Sequence, residues 1–322
     1  MVYLVTGGAG FIGSHIVARL ASTGEKVRVF DNLEYGRMEN LRGLEDRVKT
    51  ITGDLTDPPA LRDAMAGVNV VFHQAALRSV PFSVENPALV NRVNVEGTLN
   101  VLIAARDAGV RRVVYASSSS VYGNIARLPK SEDFTPEPAS PYAVSKLAGE
   151  YYCKVFTELY GVETVSLRYF NVFGPRQDPN SQYSAVLPRF IEAALRGAPL
   201  EIHGDGLQSR DFTYIDNVVD ANLLASQSKD AAGKVFNVGQ HRAVTLLDVV
   251  DLLKGMIGPE LRWSHLEART GDVKHSLADI SRAEHCLGYR PKVTFEEGLR
   301  RTVEYFRQAG KKPPTGDQRQ AL

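Results

Sequence analysis

The stretch Val5–Ile16, VTGGAGFIGSHI, decides the fold. Gly7, Gly10 and Gly13 stand where an apolar run, VYLVT, gives way to an amphipathic one, GSHIVARLAST, so a strand turns into a helix across a glycine loop. Such a loop lets backbone approach a pyrophosphate and aims the helix N-terminus at its charge. A glycine triplet alone says little. Here it follows a strand, opens a helix and precedes a second strand, KVRVFD, ending in Asp31. An acid at that place accepts hydrogen bonds from an adenosine ribose. It also repels a 2′-phosphate, which favours NAD, and the nearby Arg37 leaves NADP as the second choice.

Working outward, short Val/Ile-rich runs continue to alternate with amphipathic stretches: VKTITGD, ALRDAMAG, VNVVFHQA, NVEGTLNVLIAARDAG and RRVVYAS. That rhythm predicts α/β architecture, a doubly wound parallel sheet whose strands are covered on both faces and so read as nearly continuous apolar runs. From GPRQDP onward the rhythm breaks into short strands (PLEIHG, VFNVG) and separate helices (VLPRFIEAALRG, TLLDVVDLLKGMIG). We therefore expect a dinucleotide domain over 1–172 that also receives about 212–240. A smaller α/β substrate region is expected over 173–211 and 241–312, with a tail at 313–322 and the stretch QAGKKPPTGDQRQAL unstructured.

Bulk properties narrow the partner. The 322 residues are 43% hydrophobic and 23% charged with a net charge of +1, and no basic run marks a nucleic-acid or anionic-membrane surface. A small-molecule substrate is expected. Cys153 and Cys286, far apart and without metal-type spacing, suit a reducing cytosol, and no metal is expected. The chain opens directly into a strand, and no apolar run is long enough to span a membrane, so the expectation is a cytoplasmic protein.

Two further stretches carry chemistry. In SPYAVSKLAGEYY, Tyr142 and Lys146 are four apart, neighbours on one helical face at about 5–6 Å. A tyrosine is a poor base at its usual pKa, and an adjacent ammonium with a bound cationic nicotinamide favours the phenolate. In YASSSSVYG, four serines, Ser117 to Ser120, end a buried run.

With these motifs the chain resembles the extended short-chain dehydrogenase/reductase superfamily, and within it the nucleotide-sugar 4-epimerases. The resemblance runs from VTGGAGFIGSH through SSSSVYG, SPYAVSKLAGE, LRYFNVFGPRQDP and GDGLQSRDFTYIDNV to GDVKHSLADISRA. It implies a Rossmann domain holding NAD, a UDP-sugar region, and a catalytic set of Tyr142, Lys146 and Ser118. On the cofactor side it implies contacts at Phe11, Ile12, Asn32, Leu55, Asn94 and Tyr169. Asp54 would meet the adenine amino group, and Ala75 and Ala76 the phosphates. Arg78 would meet the pyrophosphate or face solvent. On the substrate side it implies Ser119, Asn171, Arg210 and Arg269 near the sugar diphosphate, Asp272 on the ribose, and Leu187 and His203 around the uracil.

The reaction the resemblance implies is inversion at carbon 4 of a UDP-hexose through a 4-keto intermediate, with Ser118 bridging the moving proton. Related 4,6-dehydratases carry an acid pair where this chain has Ser119 and Ser120, so elimination of water lacks its acid and base. Ser117 is expected only to cap the strand end. Ser276 would limit room around the sugar's 2-substituent, and its small size favours UDP-GlcNAc/UDP-GalNAc ahead of UDP-Glc/UDP-Gal. A UDP-uronate 4-epimerase or decarboxylase is the alternative, disfavoured by Asp178 near the sugar. A non-catalytic NAD-sensing regulator is another, disfavoured because no catalytic position is lost. Apolar residues on more than one face of the helices around residues 94–109 and 141–153 suit packing against a partner subunit, and the resemblance implies a homodimer through a four-helix bundle.

Overall fold

The computed structural model describes residues 1–178, 185–267 and 274–309. Six strands come from the first half of the chain: β1 (Val2–Thr6), β2 (Lys26–Asp31), β3 (Val48–Thr52), β4 (Val70–His73), β5 (Arg112–Ser118) and β6 (Glu163–Tyr169). A seventh, Lys234–Val238, returns from the second half and pairs with β6. The sheet is parallel throughout, and its order is Lys234–Val238, β6, β5, β4, β1, β2, β3. The order therefore runs both ways from β1, leaving a crevice at the carboxyl ends of β1 and β4, where open α/β sheets bind ligands.

Alternation along the strands explains why both faces are apolar. Tyr3 and Val5 of β1, Val70 and Phe72 of β4, and Val114 and Ala116 of β5 join one core cluster. Their neighbours Leu4, Val71, Val113 and Tyr115 join the other, under helices Pro58–Met65 and Gly97–Asp107. The first cluster continues into the C-terminal region through Phe173, Leu187, Phe190, Phe212 and Phe295, so the two regions share one core. That region is helices Val186–Leu195, Leu246–Ile257 and Phe295–Ala309 around three two-stranded ladders: Val172–Phe173 with Thr213–Tyr214, Leu200–His203 with Trp263–Leu266, and Ser209–Asp211 with Ala243–Thr245.

Two elements set the crevice. At the first turn, Gly7 has φ +66° and a Cβ there would sit 2.7 Å from the Ala75 amide, while a Cβ at Gly13 would run into the Gly7 carbonyl. Glycine is obligatory at both, and the backbones of the first and fourth strand ends meet there. The second element is helix Pro141–Tyr160, started by Pro141 behind an N-cap Ser140 and stopped by Gly161 in the left-handed region. Its Gly149 lies against the Tyr115 hydroxyl, so the helix rests directly on β5.

Gln308 and Ala309, expected in an unstructured tail, close helix Phe295–Ala309; the remaining tail residues lie outside the described ones. Among the described residues no helix is long and apolar enough to cross a membrane.

Candidate active site

A cleft of about 550 Å³ opens at the carboxyl ends of the strands, and a hollow of about 270 Å³ adjoins it on the C-terminal side. Gly7, Gly10, Phe11, Ile12 and Gly13 line its floor. Asp31, buried at the end of β2, accepts from the Ala9 amide at 3.0 Å and the Leu33 amide at 2.9 Å. Burial pushes its pKa up, and the two backbone hydrogen bonds oppose that. Both amides aim the carboxylate along the cleft wall, beside Gly36, where a Cβ would come within 2.6 Å of it. Asn32 donates to Asp54 at 2.9 Å, and both line the cleft with Leu55, Ala75 and Ala76. Tyr169 lines it too, its hydroxyl tied to Asn222 at 3.0 Å and to the Gln74 amide. A glycine cradle that no side chain could enter, followed by an oriented buried acid, fits NAD.

Asn94, expected at the cofactor, is buried and held to Leu77. Its amide accepts from the Leu77 amide at 2.8 Å and donates to the Leu77 carbonyl at 2.9 Å and to Ser145 at 3.0 Å, so it braces the loop around Leu77. Arg78, left open between two positions by the sequence, lines the cleft, and its charge acts on Tyr142.

Tyr142 and Lys146 come from the helix resting on β5, and Ser118 is the last residue of β5. Lys146 is buried, donates to the Ala116 carbonyl at 2.9 Å, and lies 6.0 Å from the centre of the Tyr142 ring. Burial lowers its pKa to about 8. Burial raises that of Tyr142, opposed by a hydrogen bond from Ser118 and by the Arg78 charge. Within the chain, Arg78 thus joins Lys146 as a cation beside Tyr142.

The four serines have four different surroundings. Ser117, expected only to cap the strand end, is buried and donates to Glu150 at 2.5 Å. Glu150 also holds Arg168 through two hydrogen bonds at 2.8 and 2.7 Å. Ser118 reaches Tyr142, Ser119 lines the cleft, and Ser120 donates to Ser118 at 2.9 Å.

On the substrate side, Asn171 and Arg210 line both the cleft and the hollow. Asn171 sits at φ +33° and is held by the Asp211 carbonyl at 3.0 Å. Leu187 and His203 line the hollow with Phe190 and Phe212, and Ser276 lines the main cleft. Arg269 and Asp272 lie outside the described residues. Asp178, expected to repel a sugar carboxylate, lines the cleft and pairs there with Arg37 at 2.9 Å. The sequence also missed Arg176, a cleft-lining residue at φ +66° whose guanidinium donates to the Ser14 carbonyl at 3.1 Å. Among the described residues no cluster could hold a metal ion.

A parallel sheet with a glycine turn and acid at one end and a Tyr/Lys/Ser set over the same crevice defines the short-chain dehydrogenase/reductase class. Within it, the chain belongs to the NAD dependent epimerase/dehydratase family, whose match spans residues 3–239. It is similar to the UDP-glucose 4-epimerase of Mycolicibacterium smegmatis, at 41% identity over 309 residues, covering 94% of this chain and 98% of that one. Among solved structures, the UDP-glucose 4-epimerase of Thermotoga maritima, crystallised with UDP-glucose, superposes with a TM-score of 0.92 at 39% identity, covering 97% of this chain and 100% of the other. The UDP-N-acetylglucosamine 4-epimerase of Methanobrevibacter ruminantium, in complex with UDP-N-acetylmuramic acid, gives 0.91 at 42% identity, covering 95% and 98%.

Proposed function

We infer that this chain is an NAD-dependent 4-epimerase of UDP-hexoses. The observation that carries the reading is the convergence of Tyr142, Ser118 and Lys146 on one cleft in which Ser119 and Ser120, not carboxylates, stand beside them. A base is present and the acid pair for eliminating water is absent, so the chemistry stays at carbon 4. NAD, when bound, supplies the hydride acceptor and donor. Tyr142 as phenolate takes the proton of the 4-hydroxyl and later gives it back, with Ser118 hydrogen-bonded to it. Lys146, about 6.0 Å from the centre of the Tyr142 ring, disfavours a proton on it and would hold the nicotinamide ribose. Between the two half-reactions the 4-keto sugar turns over about its phosphate linkage, which requires a firm grip on the nucleotide and a loose one on the sugar. Arg210 and Asn171 at the diphosphate, with Leu187 and His203 around the base, supply that grip.

Ser276 at the cleft wall leaves room for a 2-N-acetyl group, so UDP-GlcNAc/UDP-GalNAc is the preferred pair, with UDP-Glc/UDP-Gal also accepted. The working unit is a homodimer, supported by exposed apolar residues along the helix that carries Tyr142. The test is incubation with UDP-GlcNAc, UDP-Glc and UDP-glucuronate separately, without added NAD, followed by separation of epimers. Turnover of UDP-glucuronate alone would replace this reading with the uronate one. No turnover of any would remove it.

A further inference from the structure

The catalytic serine is the N-cap of a short 3-10 turn, Ser119–Tyr122. Its Oγ accepts two hydrogen bonds from one residue, the Ser120 amide at 3.1 Å and the Ser120 hydroxyl at 2.9 Å. A hydroxyl has two lone pairs and one proton. With both lone pairs of Ser118 occupied, its own proton is the group left to point away from the turn, toward Tyr142.

We propose that Ser120 is a positioning residue that makes Ser118 a dedicated hydrogen-bond donor, so that the substrate's 4-hydroxyl proton passes directly to Tyr142 and not through Ser118. An Oγ that already receives two donors cannot accept the substrate proton as a relay would. It can donate to the phenolate, and to the C4 oxygen as that oxygen loses its proton, which stabilises negative charge at both. The step balances: the O–H bond of the sugar breaks, a Tyr142 O–H bond forms, and the Ser118 proton never leaves. Other groups facing Tyr142 are Lys146 on its own helix, Tyr115 on β5 and Arg78 on the loop after β4; behind them Glu150 and Arg168 neutralise one another. None of these changes with residue 120.

The proposal rests on the epimerase reading, and the isosteric pair Ser120→Thr and Ser120→Val separates the two. Thr keeps the hydroxyl and Val removes it at nearly equal volume. The expected result is that Val shifts the acidic limb of the kcat/KM–pH profile upward by about one unit. That is a loss of about tenfold below the midpoint with recovery on the alkaline plateau, while Thr follows wild type. Ultraviolet titration of the phenolate, taken as the difference from Tyr142→Phe, should show the same shift without any turnover. It therefore reads Ser120 even if none of the UDP-sugars is a substrate. In a Ser118→Ala background the Val change should add nothing. Matching titration curves for Thr and Val would overturn the proposal. So would equal losses at every pH in variants that still titrate.

Discussion

Burial holds the Tyr142 hydroxyl above the ordinary range of a phenol, and Ser118 and Arg78 pull the other way. Among the described residues lining the cleft, Tyr142 is the base this reading names for the 4-hydroxyl proton, so Tyr142→Phe should fold, retain bound nucleotide, and lose turnover by several orders of magnitude. Activity within about tenfold of wild type would remove Tyr142 from the base role. Ser276 poses the opposite kind of question, because it matters by its size. Its amide is held by the Ser209 carbonyl at 3.0 Å, next to Arg210, so the backbone is pinned and a larger side chain would have to project into the cleft. Ser276→Tyr should abolish turnover of UDP-GlcNAc and spare UDP-Glc, since steric exclusion acts on the acetyl group and leaves Tyr142 and Ser118 in place. Equal losses on both sugars would mean general damage; unchanged UDP-GlcNAc turnover would show that the wall lies elsewhere.

The helix carrying Tyr142 works by lying close to β5, and Gly149 is what permits it: a Cβ there would meet the Tyr115 hydroxyl, which itself reaches the Lys146 carbonyl at 3.4 Å. Gly149→Ala should lower stability by about 1–3 kcal/mol through overpacking and reduce kcat more than substrate affinity, because the lifted helix moves Tyr142 off Ser118. Urea midpoints and steady-state kinetics together check this; a stable variant with wild-type kcat would show the contact is not tight. Elements of this kind are legible in sequence to different degrees. The strands of the sheet declare themselves because burial on both faces makes them continuous apolar runs, and the glycine turn declares itself because Gly7 and Gly13 admit no side chain. The ladders of the C-terminal region are two to four residues long, too short for any periodicity, and the Arg37–Asp178 pair joins positions 141 residues apart. The Ser120–Ser118 contact is local, yet a run of identical hydroxyls carries no sign of which donates to which.

Across the whole molecule, the glycine-turn helix Phe11–Ser22 is fastened to the distant loop before Asp178, and the fastening is sensitive to pH. His15 donates through Nε2 to the Pro175 carbonyl at 3.0 Å, and burial, with Arg176 nearby, lowers its pKa to about 4. The unfolded chain takes up a proton near 6.5 and the folded one only near 4, so stability is fully present above about 6.5 and is lost as pH falls through that window. His15→Gln keeps a donor for Pro175 without titrating. Its unfolding free energy should therefore fall less than wild type's between pH 7 and 4, by roughly 2 kcal/mol in urea titrations, and parallel curves would rule His15 out as the cause. The outer face of the molecule raises the last question. On helix Pro141–Tyr160 the residues facing β5 and β6, Lys146, Glu150, Cys153 and Phe156, are buried, and an ordinary surface helix would be polar opposite them. Instead Val144, Tyr151, Val155 and Leu159 form an apolar stripe at helical spacing, Leu159 being 72% exposed, and Val84 and Leu89 on the adjoining short helices extend the apolar surface. A patch of that kind marks a surface a partner would cover, and a second copy presenting the same stripe would be self-complementary about a two-fold axis. Wild type should scatter light as a dimer at micromolar concentration. Introducing a charge with Leu159→Glu should give a monomer of unchanged far-ultraviolet dichroism, since the side chain touches no core. The wild-type protein running as a monomer, or the variant as a dimer, would place the subunit contact off this helix.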